Sequence, residues 1–451
     1  MGKLDYLNTI FITSRKIKNG GLAILICWGL IGPNPGFCNP SQTIESALIK
    51  LDQHIQRQVQ KKQIPGCAVA VVYRNKIIFI NSYGVKTLGK KEKIDLDTVF
   101  QLGSVSKPVA ATLASILENK GYLKLDDPVN HYLPDFSLNS THSFRSLKIK
   151  HVLSHSTGVP RGGFNNLIES HAPPSRILKA LQNTPVRTPV GRRYDYHNAM
   201  YSLISDITQS ATGLSFKDSL HINLLKPLNM TNTSSTFSGL MRTNNRATPH
   251  VKGKNGALIP CNTYSQGYYN VAPAGGINSS IRDMAIFLKA QLGGYPEIIS
   301  HRVLTRIQTP QVPTQSSLST YEGPANLIKN ARYALGWRVV DFAHHKLVFH
   351  AGWVKGFTNF IALMPEHQIG IVVLHNGESK FSSKTAVKFF ESLLDVQKPK
   401  KSLKLEKNSK VAKLRQPFKH AKPVKKKLSK KQLKLKTVST HTRTKAPYES
   451  R

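Results

Sequence analysis

The sequence is poor in cysteine, in acidic residues and in long apolar runs. Among its 451 residues are four Cys and three Trp, and 24 Asp and Glu stand against 64 Lys and Arg. Cys27 and Cys38 fall in an N-terminal segment with the marks of a targeting signal, which leaves Cys67 and Cys261. Two lone cysteines form no metal-ligand spacing. They read as buried thiols; a disulfide between them would need an oxidising compartment, and the sequence does not specify one. The apolar run from Gly21 to Gly32 covers only about a dozen residues, short for a membrane span and of ordinary length for the core of a signal peptide. Arg15, Lys16 and Lys18 precede it, and Pro33 and Pro35 end it. We therefore expect residues 1–38 to be a secretory signal cut near Cys38-Asn39, with an uncleaved anchor as the alternative. The protein is then exported, to the periplasm or cell envelope.

The shortage of acids gives a formal net charge of +40. It is unevenly placed: 20 of the basic residues lie between Gln397 and Arg451, beside only two acids, Glu406 and Glu449. This Lys-, Ser-, Thr- and Pro-rich stretch has the composition of a disordered tail. Lys is a mobile point charge suited to diffuse attraction, so an anionic envelope surface is the expected partner, a solvated extension with no partner the plain alternative. Aromatics are not interleaved with the lysines, so base stacking has no support. Together with the signal-like N-terminus, that argues against nucleic acid.

Residues 39–396 have the composition of a globular domain with a substantial core. Ile44, Leu48, Leu51, Ile55 and Val59 repeat at helical spacing across Thr43–Gln63, and Pro65-Gly66 ends that helix. Cys67–Tyr73 and Lys76–Asn81 read as two strands of a hairpin turning at Arg74-Asn75. Short helical pieces and loops follow from Gly121 to Pro185, including Ile149–Gly158, and a longer helix spans Ala199–Ala211. Ala272–Gly276 reads as a small-residue loop. Strand signals return at Ala334–Val340, Leu347–His350, Thr358–Met364 and Ile369–Leu374, before a last helix at Lys384–Leu394. Strands at both ends and helices between them predict an α+β fold: one sheet completed by both ends of the chain, flanked by helices, with an all-helical region in the middle.

Ser104 and Lys107, in Leu102-Gly103-Ser104-Val105-Ser106-Lys107, open an Ala/Leu-rich helix and share one face of it. A Ser hydroxyl becomes nucleophilic when a base takes its proton, and a Lys serves as that base only when burial or positive neighbours leave it neutral. The tetrapeptide alone is a weak signal and reads first as a helix cap beside a solvated Lys. His151 and His155 stand four apart with no third ligand nearby and read as structural histidines.

Two further stretches complete a pattern: Tyr194-Asp195-Tyr196-His197-Asn198 before the helix at Ala199, and His350-Ala351-Gly352 at the end of a strand. A nucleophile helix, a Tyr-x-Asn loop and a His-x-Gly strand, in that order, resemble the serine β-lactamase and penicillin-binding-protein superfamily. The class C β-lactamase-like branch, with its DD-carboxypeptidases and esterases, is the most similar. Gly121–Val129, His151–Val159 and Ala274-Gly275-Gly276 extend the resemblance, which covers residues 43 to 395. It implies Ser104 as acylated nucleophile, and Lys107 and Tyr196 as the groups that move its proton. It further implies Asn198, His350, Gly352 and Trp353 at the substrate, the backbone N–H groups of Ser104 and Trp353 forming an oxyanion hole. No metal or organic cofactor is implied. His350-Ala351-Gly352 departs from the Lys-Thr-Gly form: a partly protonated His replaces a permanent charge and Ala removes a hydroxyl, which weakens recognition of a substrate carboxylate. The expected function is that of an exported serine hydrolase acting on an ester, a D-amino-acid or peptidoglycan-like peptide, or a β-lactam amide. A true class C-like β-lactamase and a non-catalytic envelope-binding protein on the same fold are the alternatives.

Overall fold

The computed structural model describes residues 40–139, 146–314 and 327–395. The expected signal segment, 1–38, and basic tail, 397–451, lie outside the described residues. Arg74 and Asn75 both take left-handed backbone, φ 44° and 65°, as a two-residue hairpin turn requires. They join strand β1 (Gly66–Tyr73) to β2 (Lys76–Gly84), with Tyr73 opposite Lys76. Six strands from the other end extend the sheet: β3 (Val312–Pro313), β4 (Ile328–Tyr333), β5 (Arg338–Phe342), β6 (His345–Val354), β7 (Phe357–Met364) and β8 (Ile369–His375). Their order is β2-β1-β8-β7-β6-β5-β4-β3 and every pairing is antiparallel. Cys67 faces His375 across the β1–β8 seam, so both ends of the chain do complete one sheet.

Among the described residues, five helices of eleven residues or more frame it: α1 (Pro40–Gln60), α2 (Ser106–Asn119), α3 (Asn198–Thr212), α4 (Ile281–Gln291) and α5 (Phe381–Leu393). Alternate residues of β1 serve opposite cores. Cys67, Val69 and Val71 pack with Leu51 and Ile55 of α1 and Phe389 and Phe390 of α5. Ala68, Ala70 and Val72 join the larger core with α2 and α4. Coverage of both faces is why β1 and the Ile369–Leu374 part of β8 are apolar. Short helices between Val129 and Met241 surround α3 and form the expected helical region. No helix of the described residues is long and apolar enough to cross a membrane.

Four expectations change in detail. The helix foreseen over Ile149–Gly158 stops at Leu153, because His155 takes left-handed backbone, φ 56°. The small-residue loop at Ala272 forms a short helix, Ala272–Gly275. Of the strand foreseen over Ala334–Val340 only Arg338–Val340 is strand, the start of β5; Ala334–Trp337 form a bend that joins it to β4. Cys67 is a buried free thiol, but Cys261 is half-exposed, just beyond the short strand Leu258–Pro260.

Candidate active site

Ser104 sits in a single 3-10 turn, Gly103–Val105, and Lys107 in the first turn of α2. Three sets of contacts place this segment. Asn359 of β7 donates from Nδ2 to the carbonyls of Gln101 (2.9 Å) and Leu102 (3.2 Å). Phe100-Gln101 pairs with Asn278-Ser279. The Ile277 N–H donates to Ser106 Oγ at 3.0 Å. The last two bring the short helix Ala272–Gly275 under Lys107, so that the Ala274 carbonyl accepts from Nζ at 2.6 Å. On the other side α3 presents Asn198, whose Oδ1 accepts from Nζ at 2.8 Å, while its Nδ2 donates to Asn165 Oδ1 at 3.1 Å. His197, rather than Asn198, caps α3, its Nδ1 accepting from the Met200 N–H.

Around Ser104 the expected groups meet. Tyr196 donates from its hydroxyl to Ser104 Oγ at 2.7 Å, and Lys107 Nζ lies 3.2 Å from the same oxygen. Lys107 is fully buried. Desolvation, with the positive charge of Arg338 adding to it, holds its amine well below the ordinary Lys range. Burial raises the Tyr196 phenol above its ordinary value, against a smaller opposing effect of its hydrogen bond to Ser104. The phenol therefore keeps its proton at neutral pH, which limits the sharing of general-base work foreseen for it.

Gly352 and Trp353 lie where β6 meets the Ser104 turn. A Cβ on Gly352 would stand 2.1 Å from the Leu102 carbonyl oxygen, and one on Gly103 (φ +56°) 2.8 Å from the Trp353 oxygen. Only glycines let the two backbones approach this closely. The Trp353 side chain projects outward, 51% exposed. Overpacking at such a contact costs about 1–3 kcal/mol, so Gly352→Ala is expected to lower the urea midpoint by a corresponding amount; an unchanged midpoint would show that β6 moves aside freely.

His350 corrects an expectation. It is buried, with Nδ1 2.7 Å from the Ala351 carbonyl and Nε2 2.9 Å from the Tyr333 hydroxyl. The carbonyl can only accept, so Nδ1 carries the proton and Nε2 accepts from Tyr333. Desolvation first, then the nearby Arg338 and Lys107, pushes its pKa well below 6.5. His350 is thus a neutral group behind the site rather than a partial cation facing it. The structural reading of His151 and His155 also takes concrete form: His151 Nδ1 accepts from the Lys148 N–H, and His155 Nδ1 from the His197 N–H.

Several residues around the site were not legible in the motifs. Tyr201 donates to the Lys107 carbonyl at 2.9 Å. Arg338 of β5 lies 5.7 Å from the ring centres of both Tyr194 and Tyr333. Asn165, Asn359 and Arg338 carry no local pattern, whereas Ala274-Gly275-Gly276 was among the stretches that carry the resemblance.

A helix-borne Ser with Lys three residues on, a Tyr hydroxyl on the same oxygen, and a strand of an antiparallel sheet beside them define the architecture of the serine β-lactamase and penicillin-binding-protein superfamily. A family model described as Beta-lactamase matches residues 51–389, and the chain belongs to that family. Protein flp of Staphylococcus aureus (strain COL) is 26% identical over 342 residues, which cover 74% of this chain and 64% of that protein. Beta-lactamase of Escherichia coli (strain K12) is 24% identical over 350 residues, 70% of this chain and 85% of the relative. The octameric penicillin-binding protein homologue from Pyrococcus abyssi shares the fold, with a TM-score of 0.68 at 23% identity over 77% of each chain. The chain thus spans less than two thirds of the length of the flp protein it matches.

Proposed function

We propose that this chain is a serine hydrolase that forms an acyl-enzyme on Ser104, with an ester, a D-amino-acid peptide or a β-lactam amide as its substrate class. The observation that carries the reading is the place of Ser104 Oγ between Lys107 Nζ and the Tyr196 hydroxyl. A neutral amine offers two N–H groups and one lone pair. The Ala274 carbonyl and Asn198 Oδ1 can only accept, and they take the two N–H groups. The lone pair is then left for the Ser104 hydroxyl proton.

In this mechanism Lys107 takes that proton as Oγ attacks the substrate carbonyl. The N–H groups of Ser104, in the 3-10 turn that leads into α2, and of Trp353 stabilise the oxyanion. Tyr196 gives its proton to the leaving group and recovers one from Lys107; water then releases the acyl group. Asn198 orients Lys107, and Gly352 admits β6 to the site. A neutral His350 offers no cation to a substrate carboxylate, which favours substrates that do not depend on one there. None of these steps calls for a metal or organic cofactor. The same reading takes residues 1–38 as an export signal, 39–396 as the hydrolase and 397–451 as an attachment to an anionic envelope surface; composition supports these three assignments.

Intact-protein mass spectrometry after exposure to a labelled penicillin tests the reading, with Ser104→Ala as control. An adduct lost in the control indicates slow deacylation, as in a peptidase, and disappearance of the penicillin without an adduct indicates a β-lactamase. If neither occurs, Ser104-dependent turnover of a short-chain aryl ester indicates an esterase. No Ser104-dependent reaction with either probe would leave the non-catalytic envelope-binding protein.

A further inference from the structure

His155 is not used by the mechanism above, yet its surroundings are unusual. It is buried, 1% exposed, and holds left-handed backbone, φ 56°, which costs a non-glycine residue free energy that the surrounding structure must supply. Its carbonyl accepts the N–H of Asp195 at 2.8 Å, and its Nδ1 accepts the N–H of His197 at 3.2 Å. These are the residues on either side of Tyr196. The imidazole then lies against the Tyr196 ring itself, with centres 4.2 Å apart. The left-handed turn at 155 is what allows one residue to offer both its carbonyl and its ring nitrogen to the same strand of chain. Because Nδ1 accepts, Nε2 carries the proton. Buried Nε2 has no hydrogen-bond partner among the described residues, and the ring is walled by Tyr196, Tyr201, Tyr333 and Tyr194, with centres 4.2, 5.1, 5.1 and 6.0 Å away. An orphaned polar atom of this kind is retained at a cost to stability.

We infer that His155 is a positioning residue for Tyr196: it fixes the backbone on both sides of that residue and the tilt of its ring, and so sets the aim of the Tyr196 hydroxyl at Ser104 Oγ. The inference rests on the serine-hydrolase reading for its catalytic consequence, but the placement of Tyr196 is measurable without turnover. Two substitutions separate the halves of the clamp. His155→Asn tolerates left-handed backbone and keeps an acceptor near the position of Nδ1 but removes the ring. His155→Phe keeps a ring and removes the acceptor.

The test uses the full chain carrying [13Cζ]tyrosine, with the Tyr196 resonance identified by its absence in Tyr196→Phe. Both His155 variants are expected to shift that resonance, and an unmoved Tyr196 signal in folded variants overturns the inference whatever the activity. If one variant fails to fold, the other decides. Turnover supplies the second arm, through the leaving group. A nitrophenyl ester needs little protonation of its leaving group, whereas an alkyl ester depends on the Tyr196 proton. Loss of aim should lower kcat for the alkyl ester by about 10²-fold, in the range typical of general-acid catalysis, with a much smaller loss for the nitrophenyl ester and little change in KM. In the Tyr196→Phe background the His155 substitutions should cause no further loss. Equal losses for the two esters, or full additivity with Tyr196→Phe, would assign His155 to the general stability of the fold. Absence of Ser104-dependent turnover in the unaltered chain would instead count against the hydrolase reading, with the Tyr196 resonance still deciding the placement.

Discussion

A Lys107→Met protein is expected to fold and to acylate Ser104 about 10³-fold more slowly than the unaltered chain, within the range for loss of a positioned base. Met occupies nearly the same volume without an amine, so the pocket stays filled. Two acceptors lose their donor, the Ala274 carbonyl and Asn198 Oδ1, at a cost of about 1–3 kcal/mol each if neither finds another. Against this, a fully buried amine no longer has to be kept from water. The two effects on stability oppose each other, so stability and rate are read separately. Rapid-quench measurement of acylation, alongside thermal unfolding of the same sample, separates the two quantities. Acylation within tenfold of the unaltered rate, in a protein that melts normally, would mean that Lys107 is not the base.

The second large effect is on stability in acid. Burial lowers the pKa of His151 and His197 from 6.5 to about 4 and that of His375 to about 3. Burial is also the first cause of the strong depressions at His155 and His350. In the unfolded chain these imidazoles titrate near 6.5. Below that pH the unfolded state binds more protons than the folded state, so stability falls as the pH falls. The stabilisation is fully present above about pH 7 and is lost progressively below it, with His151, His197 and His375 each contributing on the order of 2 kcal/mol of loss by pH 5 and His155 and His350 acting in the same direction. Asp195, Asp206 and Asp283, whose pKa values burial raises, work in the opposite direction, but they are outnumbered by the buried histidines, to which His54, also lowered to about 4, adds. Since a domain holds a total of about 5–15 kcal/mol, the protein should unfold cooperatively between pH 6 and pH 4.5. Urea midpoints measured from pH 8 down to pH 5 check this, and a midpoint that stays flat over that range would contradict it.

What could be read from the sequence was what is local. The hairpin at Arg74-Asn75 follows from two apolar runs and a turn that tolerates left-handed backbone, and helix α3 follows from the spacing of Met200, Leu203, Ile204 and Ile207. Ser104, Lys107, Tyr196 and Asn198 were found because each lies in a short stretch of recognisable form, and the structure brings all four together. What escaped was set by tertiary packing. No periodicity announces that Asn359 fastens the Ser104 turn to the sheet, or that Arg338 lies near Lys107. The charge state of His350 was misjudged for the same reason, because burial and neighbours, not residue type, decide it. At His155 a helical pattern continued through a residue whose backbone leaves the helix, since the gain from bracketing Tyr196 is invisible to local propensity.

The seam between β1 and β8 also bears on how the chain acquires its shape. Strand β1 is apolar from Cys67 to Tyr73, and it gains its β8 partner only when Ile369–His375 is available. At typical synthesis rates of about 5–20 residues per second, a separation of roughly 300 residues leaves that edge uncovered on the ribosome for about 15–60 s. Closing so long a loop is slow as well as late. A nascent chain of this protein thus carries a hydrophobic strand with one edge paired to β2 and the other open through most of its synthesis.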